Sequence, residues 1–332
     1  MKRHAALLAA ACLLAPPFIC AAKSRTEGAV AAGNGSSLVC RTEKTKLKGH
    51  EQLSLFLRPS TSGKTDGVLC LCLLAHAPEA IAELLEKGYV ARTRISRDLD
   101  FADSHNLAVV AWSAQSVWDP TRNWDELTRA EAKRIDANFS LLAKAWEDGI
   151  KYFVKNHGLP PSGYLIKGYS AAAQYAQRLA LRCPERFLAV NAHIASSFDA
   201  PTKGGATVLW CVTTGENELG YGRSRRFFKA ARDMGYPIIY KAYPGLAHEG
   251  NARVVALGYK CFEYALEEYA RATRLNGGKP TKPDWTDLFT SSMQLADIFN
   301  QAVYPKFDYF CVPQDFRMLL PSEEIKDAWI DE

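Results

Sequence analysis

The chain has 332 residues, of which 48% are hydrophobic and 23% charged, a composition that fits a folded globular protein and excludes a disordered or low-complexity chain. Its 41 basic and 36 acidic side chains give a formal charge of +5, too mild for a nucleic-acid-binding protein with dense basic stripes. No apolar run is long enough for a membrane span in the mature chain. P-loop and HExxH motifs are absent, which weakens the NTPase and zinc-protease interpretations.

The N-terminus has the pattern of a secretory signal peptide. Lys2 and Arg3 precede an apolar run from Ala5 to Leu14, and small residues follow at Ala21 and Ala22. We expect cleavage after Ala22 and a secreted or periplasmic protein. A lipid anchor at Cys12 or Cys20 is the weaker alternative.

Removal of residues 1–22 would leave seven of the nine cysteines, and an odd number cannot pair completely. Cys70 and Cys72 lie in an apolar run and are interpreted as core residues. Whether Cys261 and Cys311 meet is left open. The spacings typical of structural zinc sites are absent, and we predict neither a metal nor an organic cofactor.

Predicted strands and helices alternate along most of the chain, which implies an α/β fold with a mostly parallel sheet and helices on both faces. Strands are predicted at 38–42, 52–58, 68–74, 107–112, 163–168, 187–194, 207–213 and 237–243. Helices are predicted at 78–87, 125–156, 171–182, 222–234 and 253–274.

A Gly/Pro/Lys-rich connector, 277–283, separates the last long helix from an apolar tail. The tail is too apolar to be disordered, and we expect it to pack back on the main domain. The predicted organisation is therefore a signal peptide at 1–22, an α/β domain at 23–276 and a C-terminal segment at 277–332.

The stretch Gly168-Tyr169-Ser170-Ala171-Ala172 joins a predicted strand to a predicted helix. A serine on such a turn has its hydroxyl pushed above the sheet, and the tight turn requires small neighbours. The helix N-terminus offers a backbone N–H, that of Ala171, to a developing oxyanion. The alternative is an ordinary helix-capping serine, and in this strand–turn–helix setting we favour a nucleophile.

A serine nucleophile needs a base, and the base needs an acid that orients it. His248 lies in a glycine-bounded loop after the strand at 237–243, from which its imidazole can reach the serine. Glu218 and Glu216 both follow the strand at 207–213. Glu218 suits the acid better, although both glutamates remain open.

The order Ser170, Glu218, His248, each after a strand, resembles the α/β-hydrolase superfamily, in which the order is Ser, then Asp or Glu, then His. The stretch from Gly163 to His193 looks like secreted esterases of the polyhydroxyalkanoate-depolymerase, feruloyl-esterase or dienelactone-hydrolase type. The resemblance covers roughly residues 50–274 and departs from the family pattern where Ala172 replaces a glycine. It implies an α/β-hydrolase fold and an ester-cleaving activity.

Other site residues follow less directly. Ala77 is the candidate for the second oxyanion donor, and Trp112 and Ser113 compete with it. Trp118, Trp112, Tyr169 and Tyr221 are candidates for substrate contacts, since aromatic faces stack on sugar or phenolic rings; for Trp112 core packing is an equal alternative. Only Ala195 to Ala206 separate two strands where many hydrolases insert a lid, so no large lid domain is expected.

The sequence thus predicts a secreted serine hydrolase that cleaves small-molecule or polymer-linked carboxylic esters through an acyl-enzyme. It predicts no nucleic-acid partner and no membrane span, and it leaves the oligomeric state open. A serine peptidase of the same fold and a catalytically inactive binding module are the alternatives.

Overall fold

Strands and helices alternate along the residues that the computed structural model describes, which are 28–30, 38–47, 50–73, 78–87, 94–112, 129–195, 197–250 and 252–330. The strands are β1 (Gly28–Val30), β2 (Leu38–Leu47), β3 (His50–Arg58), β4 (Gly67–Cys72), β5 (Leu107–Trp112), β6 (Tyr164–Tyr169), β7 (Phe187–His193), β8 (Leu209–Gly215), β9 (Ile238–Tyr243), β10 (Gln294–Asp297), β11 (Ala302–Pro305) and β12 (Arg317–Leu320). The helices are α1 (Pro78–Lys87), α2 (Arg94–Ser104), α3 (Arg129–His157), α4 (Ala171–Arg182), α5 (Tyr221–Asp233), α6 (Ala252–Leu275), α7 (Trp285–Ser291) and α8 (Glu323–Ile330).

Nine strands form one sheet in the order β1-β2-β3-β5-β4-β6-β7-β8-β9. Every neighbouring pair from β5 to β9 is parallel, and β1, β2 and β3 extend the sheet through antiparallel pairs. The fully buried strands β4, β5, β7, β8 and β9 have the apolar character that a sheet covered on both faces requires. The predicted fold class is confirmed: the chain has an α/β-hydrolase fold with a mostly parallel sheet.

Helices cover both faces of the sheet, as two neighbouring residues of β6 demonstrate. Gly168 faces α4, where its backbone lies against Ala172. Lys167 faces the other side, where it contacts Asp98 of α2 and Tyr259 of α6. Because successive residues of a strand point to opposite faces, α4 lies on one side and α2 and α6 on the other. Within the described ranges, no helix is long and apolar enough to cross a membrane.

Helix α2 was not predicted from the sequence, and its buried ion pair explains why. Lys167 Nζ lies 2.5 Å from Asp98 Oδ1, and the Tyr259 hydroxyl donates to the same oxygen over 2.6 Å. Asp98 is only 5% exposed. A charged residue on the buried face of α2 interrupts the apolar periodicity that identifies a helix.

The C-terminal segment forms a second, three-stranded sheet in the order β11-β10-β12, followed by α8. None of these short strands was predicted, because four residues carry too few repeats to establish a period of two. The segment contacts the main sheet through its edge strand β9. The Trp329 indole donates to the Tyr240 carbonyl over 2.9 Å, and the Tyr240 N–H lies 2.8 Å from Met318 Sδ. These contacts occupy backbone groups that an edge strand would otherwise offer to another chain.

The seven cysteines in the described ranges are all free thiols. Cys70 and Cys72 are buried in β4, as predicted, and burial raises the pKa of both thiols well above the ordinary value. Cys261 and Cys311, whose contact the sequence left open, do not meet. Cys261 is fully buried against Cys211, whereas Cys311 is exposed on the 3₁₀ helix Lys306–Cys311.

Lys282 fastens the connector to the sheet. Its amine donates to the carbonyl oxygens of Pro184 and Phe187, the latter over 2.7 Å. Burial lowers the pKa of Lys282 to about 8, although the charge of Glu185 opposes that shift. The folded protein therefore binds the Lys282 proton less tightly than the unfolded chain does.

We predict that Lys282 adds a rise in stability between pH 8 and pH 10.5. In that window the unfolded chain keeps the proton that the folded protein has lost, so the free energy of unfolding increases with pH. Lys282→Met removes this dependence. Urea unfolding of both proteins from pH 7 to pH 10.5 measures it, and parallel curves would contradict the assignment.

Candidate active site

Ser170 occupies a strained turn between β6 and α4. Its φ of 57° and ψ of −126° lie in a region that residues with a side chain rarely adopt. Its side chain makes no capping hydrogen bond to α4, so the helix-cap alternative is not supported. The backbone is held instead, because the Ser170 N–H donates to the His193 carbonyl over 2.9 Å. The turn thus presents a hydroxyl that the helix does not use.

The turn depends on the close approach of β6 and α4 at Gly168. A Cβ at this position would lie 2.3 Å from the Ala172 carbonyl oxygen, far inside van der Waals contact. Ala172 itself is buried, so the site accommodates the methyl group that replaces the usual glycine of the family pattern. Ala171 is the first residue of α4, and the first N–H groups of a helix have no partner within it.

The structure brings Glu218 and His248 together. The Glu218 carboxylate lies 3.0 Å from His248 Nδ1, and its side chain is only 6% exposed against 36% for His248. Glu216 is exposed, and its backbone N–H donates to the Tyr243 carbonyl over 3.1 Å. Of the two glutamates left open by the sequence, Glu218 is therefore the one that contacts the histidine.

The loops that carry Glu218 and His248 are fastened to each other. The backbone N–H of Asn217 donates to the Leu246 carbonyl over 2.9 Å, and its side-chain amide donates to the Gly245 carbonyl over 3.0 Å. The loops touch so closely that a Cβ on Gly215 would lie 2.1 Å from the Leu246 oxygen. Acid and base are therefore held in register by backbone contacts as well as by their own hydrogen bond.

Tyr169 connects the serine turn to the histidine loop. Its hydroxyl donates to the His248 carbonyl over 3.2 Å, and the two ring centroids lie 5.8 Å apart in an edge-on arrangement. Tyr169 precedes Ser170 directly, so this contact ties the position of the serine turn to the loop of the base. The residue predicted as a substrate contact therefore also has a structural partner at the site.

A second histidine beside the turn was not singled out from the sequence. His193 is 5% exposed, and its Nδ1 lies 2.7 Å from Thr213 Oγ1. The ring centroids of His193 and Tyr169 lie 5.4 Å apart, with the two rings tilted relative to each other. The next residue, Ile194, has a φ of 46°, which is costly for a β-branched side chain. In the sequence, the available sign of His193 was its position at the end of a predicted strand.

The remaining predicted site residues have mixed outcomes. Trp112 is 2% exposed and packs against Trp146 at 5.9 Å, so its prediction as a substrate contact at the site mouth is wrong. The indole is needed in the core, where α3 crosses the sheet. Tyr221 is half-buried at the start of α5, close to Glu218, whose carbonyl accepts its N–H. Ala77, Ser113 and Trp118 lie outside the described residues.

One group of potential metal ligands lies elsewhere in the described ranges, where Glu147, Cys183 and Glu185 bring their ligand atoms within 4.8 Å of one another. Arg186 already engages both oxygens of Glu147 at 3.0 Å. Burial, reinforced by Glu147, raises the pKa of the Cys183 thiol to about 12, which disfavours the thiolate that binds metals. This group is a structural ion pair at the far end of α4 from Ser170.

We predict that Gly168→Ala distorts the serine turn and destabilises the protein by about 1–3 kcal/mol, because the added methyl overlaps the Ala172 backbone. Gly222→Ala is the matched control, since a Cβ there would meet Arg226 at an ordinary 3.7 Å. Thermal unfolding of the two variants measures the difference. Equal midpoints would contradict the close approach.

The comparisons with known proteins concern the fold. No protein-family model matches the chain, and no curated protein matches its sequence. Solved structures with a similar backbone include a ferulic acid esterase, 16% identical with a TM-score of 0.47 over 70% of this chain and 98% of that one.

Two further solved structures are similar in the same way. Esterase PE8 is 17% identical with a TM-score of 0.48, over 63% of this chain and 97% of that one. An S-formylglutathione hydrolase from Agrobacterium tumefaciens is 13% identical with a TM-score of 0.46, over 72% of this chain and 98% of that one. Their activities belong to those proteins, and the reaction of this chain has to be inferred from its own residues.

Proposed function

We propose that the protein is a serine hydrolase that cleaves carboxylic esters, with Ser170 as nucleophile, His248 as base and Glu218 as the acid that holds the base. The observation that carries the proposal is the hydrogen bond of 3.0 Å between Glu218 and His248, made by loops at the same sheet edge as the strained Ser170 turn. Tyr169, the residue before Ser170, contacts the His248 loop, and a pair that served the fold alone would not require a strained serine next to that contact.

The chemistry follows from these positions. Glu218 accepts from Nδ1 of His248, which leaves Nε2 to take the Ser170 proton as the hydroxyl oxygen attacks the ester carbonyl. The oxyanion forms beside the N–H of Ala171 at the N-terminus of α4. His248 then returns the proton to the leaving alcohol, an acyl-enzyme remains, and a water molecule activated by His248 releases the acid. We propose Ala77, which follows β4, as the second oxyanion donor.

The surroundings of the site favour an accessible ester. The connection between β7 and β8 spans residues 194–208 and has one short 3₁₀ helix, Lys203–Thr207, in its described part. Leu219, next to Glu218, is 92% exposed and offers apolar surface beside the proposed acid. We therefore propose bulky or polymer-linked esters with an apolar acyl or aryl part. We also propose export, on the N-terminal pattern that ends at Ala22.

The experiment that tests the proposal is labelling of the purified protein with a fluorophosphonate, followed by mass mapping. We expect one stoichiometric adduct on Ser170 and no adduct in the Ser170→Ala variant, because only an activated serine reacts. Ester hydrolysis should fall by about 10³-fold or more in that variant while the thermal midpoint is unchanged. A folded protein without an adduct would overturn the proposal and favour the inactive binding module.

A matched pair of glutamate variants tests the acid. We predict that Glu218→Gln lowers kcat by about 10²–10⁴-fold, because the amide can hold the wrong tautomer of His248. Glu216→Gln changes an exposed side chain in the same loop and should leave kcat within about twofold. Equal and small effects of the two changes would remove Glu218 from this role.

A further inference from the structure

A cavity of about 430 Å³ lies between the main domain and the C-terminal segment. It opens beside the start of β9, whereas His248 follows the end of that strand. A six-residue strand is about 20 Å long, so the cavity is separate from the candidate active site. Its apolar wall is made of buried side chains, namely Phe228, Tyr236, Ile238, Trp285, Phe289, Leu295 and Met318.

The size of this cavity, which we call the tail groove, suits a small apolar molecule. Binding pockets for small molecules usually measure about 300–1,000 Å³. A dry cavity of about 150 Å³ is enough for benzene, so the tail groove has room for a chain of roughly eight to ten carbons. Its entrance adjoins the 3₁₀ helix Lys306–Cys311, on which Phe307 and Phe310 are 68% and 71% exposed. Apolar surface therefore continues from the interior to the outside.

The charges that line the tail groove are all positive. Arg232, Lys306 and Arg317 line it, and no acidic residue does so among the described residues. Lys306 Nζ donates to the Thr290 carbonyl, and Arg317 Nε donates to the Val312 carbonyl over 2.7 Å. Both cations thus meet neutral oxygens, which orient their side chains without compensating their charge.

Arg232 and the nearby acids complete the electrostatic picture. Arg232 pairs with Asp233 at 2.7 Å and donates to the Gln314 carbonyl over 2.7 Å. Asp315, beside the tail groove, is already paired with Lys229 at 2.9 Å. Lys229 lowers the pKa of the Asp315 carboxyl, and Arg232 and Arg225 act in the same direction. Among the described residues, Lys306 and Arg317 are thus the lining cations that have no carboxylate partner.

We propose that the tail groove binds an anionic amphiphile, a carboxylate with an apolar tail of about eight to ten carbons. The tail fills the space between Phe289, Leu295 and Met318, and the carboxylate lies near Lys306. This site is independent of the reaction proposed for Ser170, since it lies at the other end of β9.

Calorimetric titration of the full chain with decanoate, kept below its micelle concentration, tests the proposal. We expect one site per chain. Affinity should rise roughly tenfold from octanoate to decanoate, because each buried methylene contributes, and then level off as the chain exceeds the cavity. Decanol, with the same tail and no charge, should bind at least about fivefold more weakly.

Variants separate this site from other ways of binding decanoate. Thr290→Phe and Thr286→Phe place a ring in the tail groove from exposed positions and should abolish binding while the thermal midpoint is kept. Lys306→Gln should weaken decanoate about fivefold and leave decanol unchanged. Lys144→Gln is the matched control, an exposed base of α3 that pairs with Asp148 and does not line the groove, and should stay within twofold.

Four results would overturn the proposal. The first is no heat of binding up to millimolar decanoate, and the second is equal affinity for decanoate and decanol. The third is binding that survives both phenylalanine variants but is lost after fluorophosphonate labelling, which would place the fatty acid at Ser170. The fourth is a dimer in sedimentation that Thr290→Phe turns into a monomer, which would assign the tail groove to a second copy of the chain.

Discussion

The candidate active site depends on one close contact, the approach of β6 to α4 at Gly168. With no side chain at this position, the strand passes directly against the Ala172 carbonyl. The helix can then start at Ala171, with only two residues between it and Gly168, the strand position that faces it. The backbone strain of this connection is concentrated at Ser170, which joins the two elements with a φ of 57°. The packing of the rest of the sheet makes this strain tolerable, because the Ser170 N–H is fixed to β7.

The sequence predicts best the elements that are buried by apolar side chains alone. The bounds of α1, α4 and β5 agree with the structure, since each has a clear apolar pattern and a sharp stop. Helix α2 escaped prediction because Asp98, a residue that normally faces water, lies on its buried side and pairs with Lys167. The partner is 69 residues away, and local periodicity carries no information about it.

The site follows the same division. Ser170, Glu218 and His248 were predicted because a parallel sheet brings its strand ends to one edge, which makes the order along the chain sufficient. Only the three-dimensional structure distinguishes Glu218 from Glu216, because the choice depends on which carboxylate turns inward from one loop. For Trp112 the sequence left substrate contact and core packing equally open, because an aromatic side chain at a strand end suits either role, and the structure supports core packing. His193 was missed for the opposite reason, because it is a polar side chain at the end of an apolar, fully buried strand.

The contacts between the C-terminal segment and β9 also have a consequence during synthesis of the protein on the ribosome. Tyr240 of β9 is held by Met318 and Trp329, so this residue is synthesised 89 residues before its last partner exists. At typical rates of roughly 5–20 residues per second, the outer edge of β9 stays open for about 4–18 seconds. During that interval the nascent sheet ends in an apolar strand that is able to recruit a neighbouring nascent chain. The C-terminal segment therefore covers the edge strand of the sheet only at the end of synthesis. Conditions that slow its synthesis lengthen the time in which the growing protein can associate through that edge.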